Sequence, residues 1–259
     1  MQRSIFAQTI NVLAVIATIA VNGLANALPL NGLNTGEISD RFQVYFVPAG
    51  YVFSIWGLIY LGLILFAVYQ ALPAQRSNPR LRLIDIPFLL SCVANIVWLF
   101  LWHYEQFPLT LVVMLCLLLL LITIYLRLEI GRARVSPGER WFVQLPFSVY
   151  LGWVTVATIA NATDVLDYLK WDGWGIQPEL WAVIMLVVAT GLTFWVSLSR
   201  GDAAYLLVIV WAFAGIAIKQ AATPLVANTA WALSGILLLW LVVSAFLFHK
   251  GRSAPASVR

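Results

Sequence analysis

The residues with most chemistry to offer lie between Pro146 and Asn161, in PFSVYLGWVTVATIAN, where a proline, Tyr150, Trp153 and an amide interrupt an uncharged apolar run. Read as a helix, Pro146, Tyr150, Trp153, Ala157 and Asn161 follow offsets of 0, 4, 7, 11 and 15 and share one face. Polar atoms inside lipid need partners, so such a face turns toward protein or toward a ligand. Two other runs carry similar stripes: Trp56, Tyr60, Leu63 and Gln70 in one, Ser91, Asn95, Trp98 and Trp102 in the other. Together they offer stacking and hydrogen bonding. Aromatic walls hold a flat conjugated molecule, at about 0.5–1.5 kcal/mol per ring pair beyond area burial, and a few amides and hydroxyls orient it. A plainer reading stands beside this one, because Trp and Tyr collect at membrane interfaces and Asn or Ser ties helices together.

Other chemistry finds little support. The sequence has no GxxxxGK, HExxH or GxSxG pattern, so it reads as a non-enzyme. Its two cysteines, Cys92 and Cys116, lie inside apolar runs and point to neither a disulfide framework nor a metal site. Haem iron needs an axial His, Cys, Met or Tyr, and both histidines, His103 and His249, fall at the ends of apolar runs. No covalent or metal cofactor is expected. A Schiff-base role for Lys219 is disfavoured by its position at a helix end before Pro224, where a lysine snorkels cheaply. Asp85 and Glu105 read as boundary charges, not as a proton relay.

The elements that must position the stripes are membrane helices. Of 259 residues, 62% are hydrophobic and 10% charged, with a mean hydropathy of +0.91, which defines an all-α integral membrane protein. Eight spans are expected near 8–30, 48–72, 86–104, 107–126, 141–162, 180–199, 203–218 and 225–248, the seventh being the shortest. Alternating the connections from an inside N-terminus leaves only Arg41, Lys170 and Lys219 of the 15 basic residues outside, so both termini should be cytoplasmic, in an inner or plasma membrane. The arginines flank spans and do not form one basic surface, which argues against nucleic-acid binding. Arg3, the apolar run 10–21 and Ala25-Asn26-Ala27 also fit a cleavable signal peptide, but the segment is read here as a retained helix. The segment 30–48 is long enough to cover an outside-facing cavity. Residues 164–178 read as a second irregular outer segment, with Trp171 and Trp174 at the interface, and the tail 251–259 as disordered.

Three segments carry a resemblance: FVPAGYVFSIWGLIY at 46–60, VANIVWLFLW at 93–102 and LPFSVYLGWVTVATIAN at 145–161. In order and in span number they resemble the tryptophan-rich sensory proteins, the TspO or translocator-protein family once called peripheral benzodiazepine receptors. Members have five helices, with a proline-aromatic segment before the second, an Asn and a Trp in the third, and a Pro-Tyr-x-x-Trp-type motif leading to an Asn in the fifth. The resemblance covers roughly residues 5–170. Two departures stand out: the spacing from Phe53 to Trp56 is one residue short, and three further spans follow the fifth. The chain thus divides into a five-helix unit (1–177), three added spans (178–250) and the tail.

The resemblance implies a cavity for a porphyrin-type tetrapyrrole, with a sensory or stress-regulatory role, and places Trp56, Tyr60, Asn95, Trp98, Trp102, Pro146, Tyr150, Trp153 and Asn161 around the ligand. Some relatives are associated with porphyrin breakdown, for which the tryptophans would be the reactive residues. Val165, Tyr168 and Lys170 fit a loose sterol-contact pattern at the place where relatives carry theirs, although an interfacial anchor explains them as well. Membrane lipid and a hydrophobic small molecule are the expected partners; a homodimer is implied by the resemblance alone. Two other functions stay open: a transporter of tetrapyrroles or similar lipophilic molecules, in which the added spans help alternate access, and a structural subunit of a membrane complex.

Overall fold

The computed structural model describes residues 3–28 and 30–252, leaving aside the side chains of Asn26 and of 247–252. His249 and the tail expectation therefore fall wholly or largely outside the described side chains. The first helix, α1 (Ile5–Ala27), is capped by Ser4, whose hydroxyl accepts from the Ala7 N–H. A short α2 (Thr35–Ser39) starts at an Asn34/Glu37 capping box. A 3₁₀ turn, Gly50–Ser54, leads into α3 (Ile55–Ala71). Next come α4 (Pro79–His103) and α5 (Phe107–Arg127), each with a proline in its first turn, where the missing N–H costs nothing. The brief α6 (Pro137–Glu139) passes through a π-helical turn, Arg140–Gln144, into α7 (Leu145–Tyr168). Three helices complete the chain: α8 (Pro178–Arg200), α9 (Ala203–Lys219) and α10 (Pro224–Arg252).

Among the described residues, seven helical segments are long and apolar enough to cross a membrane, and α9, with 17 residues, is a shorter apolar helix. Some boundaries differ from expectation. Helix α4 begins at Pro79 and not near 86, because the Asn78 side chain caps it by accepting from the Arg80 and Leu81 N–H groups. Helix α7 runs on to Tyr168, so Asp164, expected in an irregular segment, is helical and buried.

The span built on α7 is the axis of the bundle. Its most apolar window is 78% buried, against at most 39% for any other span. It packs against α3, α5, α8 and α9; α4 lies against α5 and α1, and α8, α9 and α10 pack on one another. Small residues allow the close approaches. A Cβ on Gly152 would sit 3.1 Å from the Val208 Cβ and 3.2 Å from the Tyr205 carbonyl oxygen, so α7 and α9 meet almost backbone to backbone. Hydrogen bonds fix the same contact: the Tyr125 and Ser148 hydroxyls both donate to Asp202 Oδ2, at 2.8 and 2.7 Å, and Tyr205 donates to Thr155. Asp202 Oδ1 meanwhile caps α9.

Candidate ligand cavity

The tryptophan stripes meet at the end of the bundle that carries residues 30–54. Trp56 and Phe53 from the start of α3, Trp98 and Trp102 from the end of α4, Met114 from α5, and Trp153, Val156, Ala157, Ala160, Asn161 and Asp164 from α7 enclose a cavity. Thr35 and Ser39 of α2, with Val47 and Pro48, form its roof. The long segment therefore does cover a cavity. Its volume is about 50 Å³.

The walls are rings in contact. Trp98 and Trp102 stack with centroids 5.4 Å apart and planes 16° apart. Trp153 receives Phe53 and Trp56 nearly edge-on, at 5.6 and 6.3 Å. Most polar atoms are committed: Trp98 Nε1 donates to Asn161 Oδ1 (3.2 Å), Asn161 Nδ2 to Thr110 Oγ1 (2.9 Å), and Trp102 Nε1 to the Thr35 carbonyl (3.2 Å). Trp153 Nε1 and Asp164 Oδ1 are buried without a hydrogen-bond partner among the described residues.

Five of the nine expected ligand residues, Trp56, Trp98, Trp102, Trp153 and Asn161, line this cavity. Of the other four, Tyr60, Tyr150 and Asn95 lie behind its wall, and Pro146 packs elsewhere on α3. Tyr60 stacks on Trp56 at 5.6 Å; Asn95 Nδ2 donates to the Tyr150 hydroxyl, and Asn95 Oδ1 accepts from Asn22. Pro146 lies against Gly62, where an added Cβ would approach its ring to 3.0 Å. Val165, Tyr168 and Lys170 do not form one surface: Val165 is buried beside Ile38, Trp102 and Phe107, while Tyr168 and Lys170 are exposed. Asp164 was missed because the expected span stopped at 162. The stripe continued by its own rule (Trp153, Ala157, Ala160, Asp164, offsets 0, 4, 7, 11) would have found it.

Both ring nitrogens of His103 are occupied. Nδ1 faces the Leu30 carbonyl at 3.1 Å and Nε2 the Thr35 hydroxyl at 3.0 Å. A carbonyl can only accept, so Nδ1 carries the proton, and His103 ties the roof to α4. Further ties reach the roof from the C-terminal helices. Lys219 pairs with Asp40 (3.0 Å), Tyr45 donates to Glu179 (2.8 Å), the Ala49 N–H donates to the Gly215 carbonyl (3.1 Å), and Trp211 Nε1 to the Val52 carbonyl (3.1 Å). The Glu179 hydrogen bond raises the pKa of the Tyr45 hydroxyl.

The fold and site define an all-helical, multi-pass integral membrane protein with an aromatic cavity beneath a short roof. The family model described as "TSPO-like protein" matches residues 8–243, and the chain belongs to that family. The match runs through α8 and α9 into α10, beyond the residues that carried the resemblance. Comparison with curated proteins and with solved structures gave no match.

Proposed function

We propose that the protein is a membrane receptor that binds a hydrophobic, planar molecule, a porphyrin-type tetrapyrrole being the leading candidate, between α3, α4 and α7, in a sensory or stress-regulatory role. The observation that carries this reading is the convergence of Trp56, Trp98, Trp102 and Trp153 with Phe53 on one cavity beside two polar atoms that the protein leaves unpaired. The cavity's volume of about 50 Å³ is far below the roughly 300–1,000 Å³ of sites for drug-sized molecules. Binding therefore requires the walls to part, and the roof, built on the five-residue helix α2 and residues 47–48, is the wall that lies outside the long helices. The distribution of basic residues supports an outward-facing roof with both termini in the cytoplasm.

The test is a titration of the purified protein with protoporphyrin, read as tryptophan quenching. Saturable quenching that is lost or weakened in the Trp98→Ala, Trp153→Ala double variant, with helical circular dichroism retained, is the expected result. Quenching that does not saturate, or that is unchanged in the variant, would reject the reading. Proteoliposomes separate binding from transport, because a receptor binds without net flux.

A further inference from the structure

The cavity's two unpaired polar atoms are of opposite sense. Trp153 Nε1–H can only donate, and Asp164 Oδ1 accepts. Their residues are 2% and 3% exposed, and both line the cavity. Few buried polar groups in folded proteins lack a partner, so two on one cavity need a reason. They lie eleven residues apart on α7, three turns along one face, or about 16 Å at 1.5 Å per residue. Between them Ala157 and Ala160 line the same cavity with small side chains, and Trp56 and Trp98 add aromatic walls. The result is a slot with a donor at its deep end and an acceptor near the roof.

We propose that Asp164 selects the ligand by its polarity: the slot takes an elongated, flat aromatic molecule with a hydrogen-bond acceptor for Trp153 and an N–H or ammonium donor for Asp164. This rests on the aromatic-cavity reading and specifies which planar molecules satisfy it. The indoles and amide beside Trp153 and Asp164 are already engaged, Trp98 with Asn161, Asn161 with Thr110, and Trp102 with the Thr35 carbonyl. The cation that ties α9 to the roof, Lys219, is paired with Asp40, and Arg41 with Glu105. A ring carrying amines brings the cation that lets the buried Asp164 carboxyl ionise and forms a charge-assisted hydrogen bond with it, whereas a ring that turns carboxylates toward it sets two acid groups together with no cation between them.

The experiment compares three forms of one ring, namely protoporphyrin, its dimethyl ester and its bis(aminoethyl)amide, in the same detergent, by tryptophan quenching. The wild type should bind the diamine at least tenfold more tightly than the diacid. Asp164→Asn should remove that preference, and Asp164→Glu should keep most of it, with unfolding midpoints confirming that the variants fold. A wild type that prefers the diacid, or a preference that survives in Asp164→Asn, overturns the proposal while leaving the tetrapyrrole reading intact. If none of the three quenches saturably, the tetrapyrrole reading fails and 9-aminoacridine becomes the probe. A tenfold or greater loss of its affinity in Asp164→Asn sustains the role of Asp164; unchanged or absent binding overturns it.

Discussion

At the basic end of the bundle, Arg3 is fully buried and paired with Asp85, which also accepts from Asn11 Nδ2, while Gln8 and Gln70 reach across to each other's backbone. Beside it Arg80 and Asn78 both hold Glu139, itself 95% buried. At the roof end the ion pairs are Arg41 with Glu105, side chains 48% and 40% exposed, and Lys219 with Asp40, 26% and 65% exposed. The same kinds of residue therefore act differently at the two ends. Breaking a buried pair strands a charge and costs several kcal/mol, whereas exposed pairs contribute about 0–1 kcal/mol. One end is fixed by buried charge pairs, and at the other the exposed ion pairs add little to the hydrogen bonds that hold the roof.

The strongest way to break this comparison is Asp85→Ala, which leaves Arg3 buried without its partner. It should cost about 3–5 kcal/mol in denaturant unfolding in detergent, while Asp40→Asn costs less than about 1 kcal/mol. Equal losses would remove the distinction between the ends. A smaller effect is expected from Gly215→Val. A Cβ there would fall 2.2 Å from Val52 Cγ2 and 3.1 Å from the Pro48 Cβ, so the side chain wedges α9 against the roof. Overpacking of this kind costs about 1–3 kcal/mol. Its distinguishing sign is faster acrylamide quenching of the cavity tryptophans, and unchanged quenching would show that the roof does not depend on α9.

The smallest effect concerns pH. A hydrogen bond from Arg41, reinforced by its charge, lowers the Glu105 carboxyl below its ordinary value of 4.5. A lowered carboxyl contributes stability above that ordinary value and loses it as the pH falls through the folded one. Both side chains are well exposed, so screening limits the contribution to a few tenths of a kcal/mol. Unfolding midpoints at pH 7 and pH 3.5 should therefore differ slightly more for the wild type than for Glu105→Gln. A gap of several kcal/mol would mean that the roof end is held as firmly as the basic one.

Much of this organisation is legible in the amino-acid order. Apolar run length specifies the membrane helices, and helical periodicity puts Trp98 and Trp102, or Trp153 and Asn161, on common faces. Periodicity identifies a face but not what covers it. Tyr150 and Asn95 share faces with the cavity tryptophans, yet they bond to each other behind the wall, because the spacing between helices decides which side chains meet. Asp164 escaped for a different reason. Hydropathy falls at residue 162, but the helix continues another turn and more, with Val165 buried against Ile38 and Phe107. The ties from α8 and α9 to the roof join residues as far apart as Asp40 and Lys219, and local sequence carries no mark of such pairs.

The π-helical turn at Arg140–Gln144 sets the phase between the two ends of the longest span. Each residue of an α-helix advances the chain by about 100°. Deleting one residue from this turn would swing Pro137–Glu139 by about that angle around the axis of α7. Glu139 would turn away from Arg80 and Asn78, while the face from Trp153 to Asp164 kept its aim. The turn works as an indexing joint, letting one continuous rod satisfy two binding directions that an unbroken 3.6-residue period could not serve together.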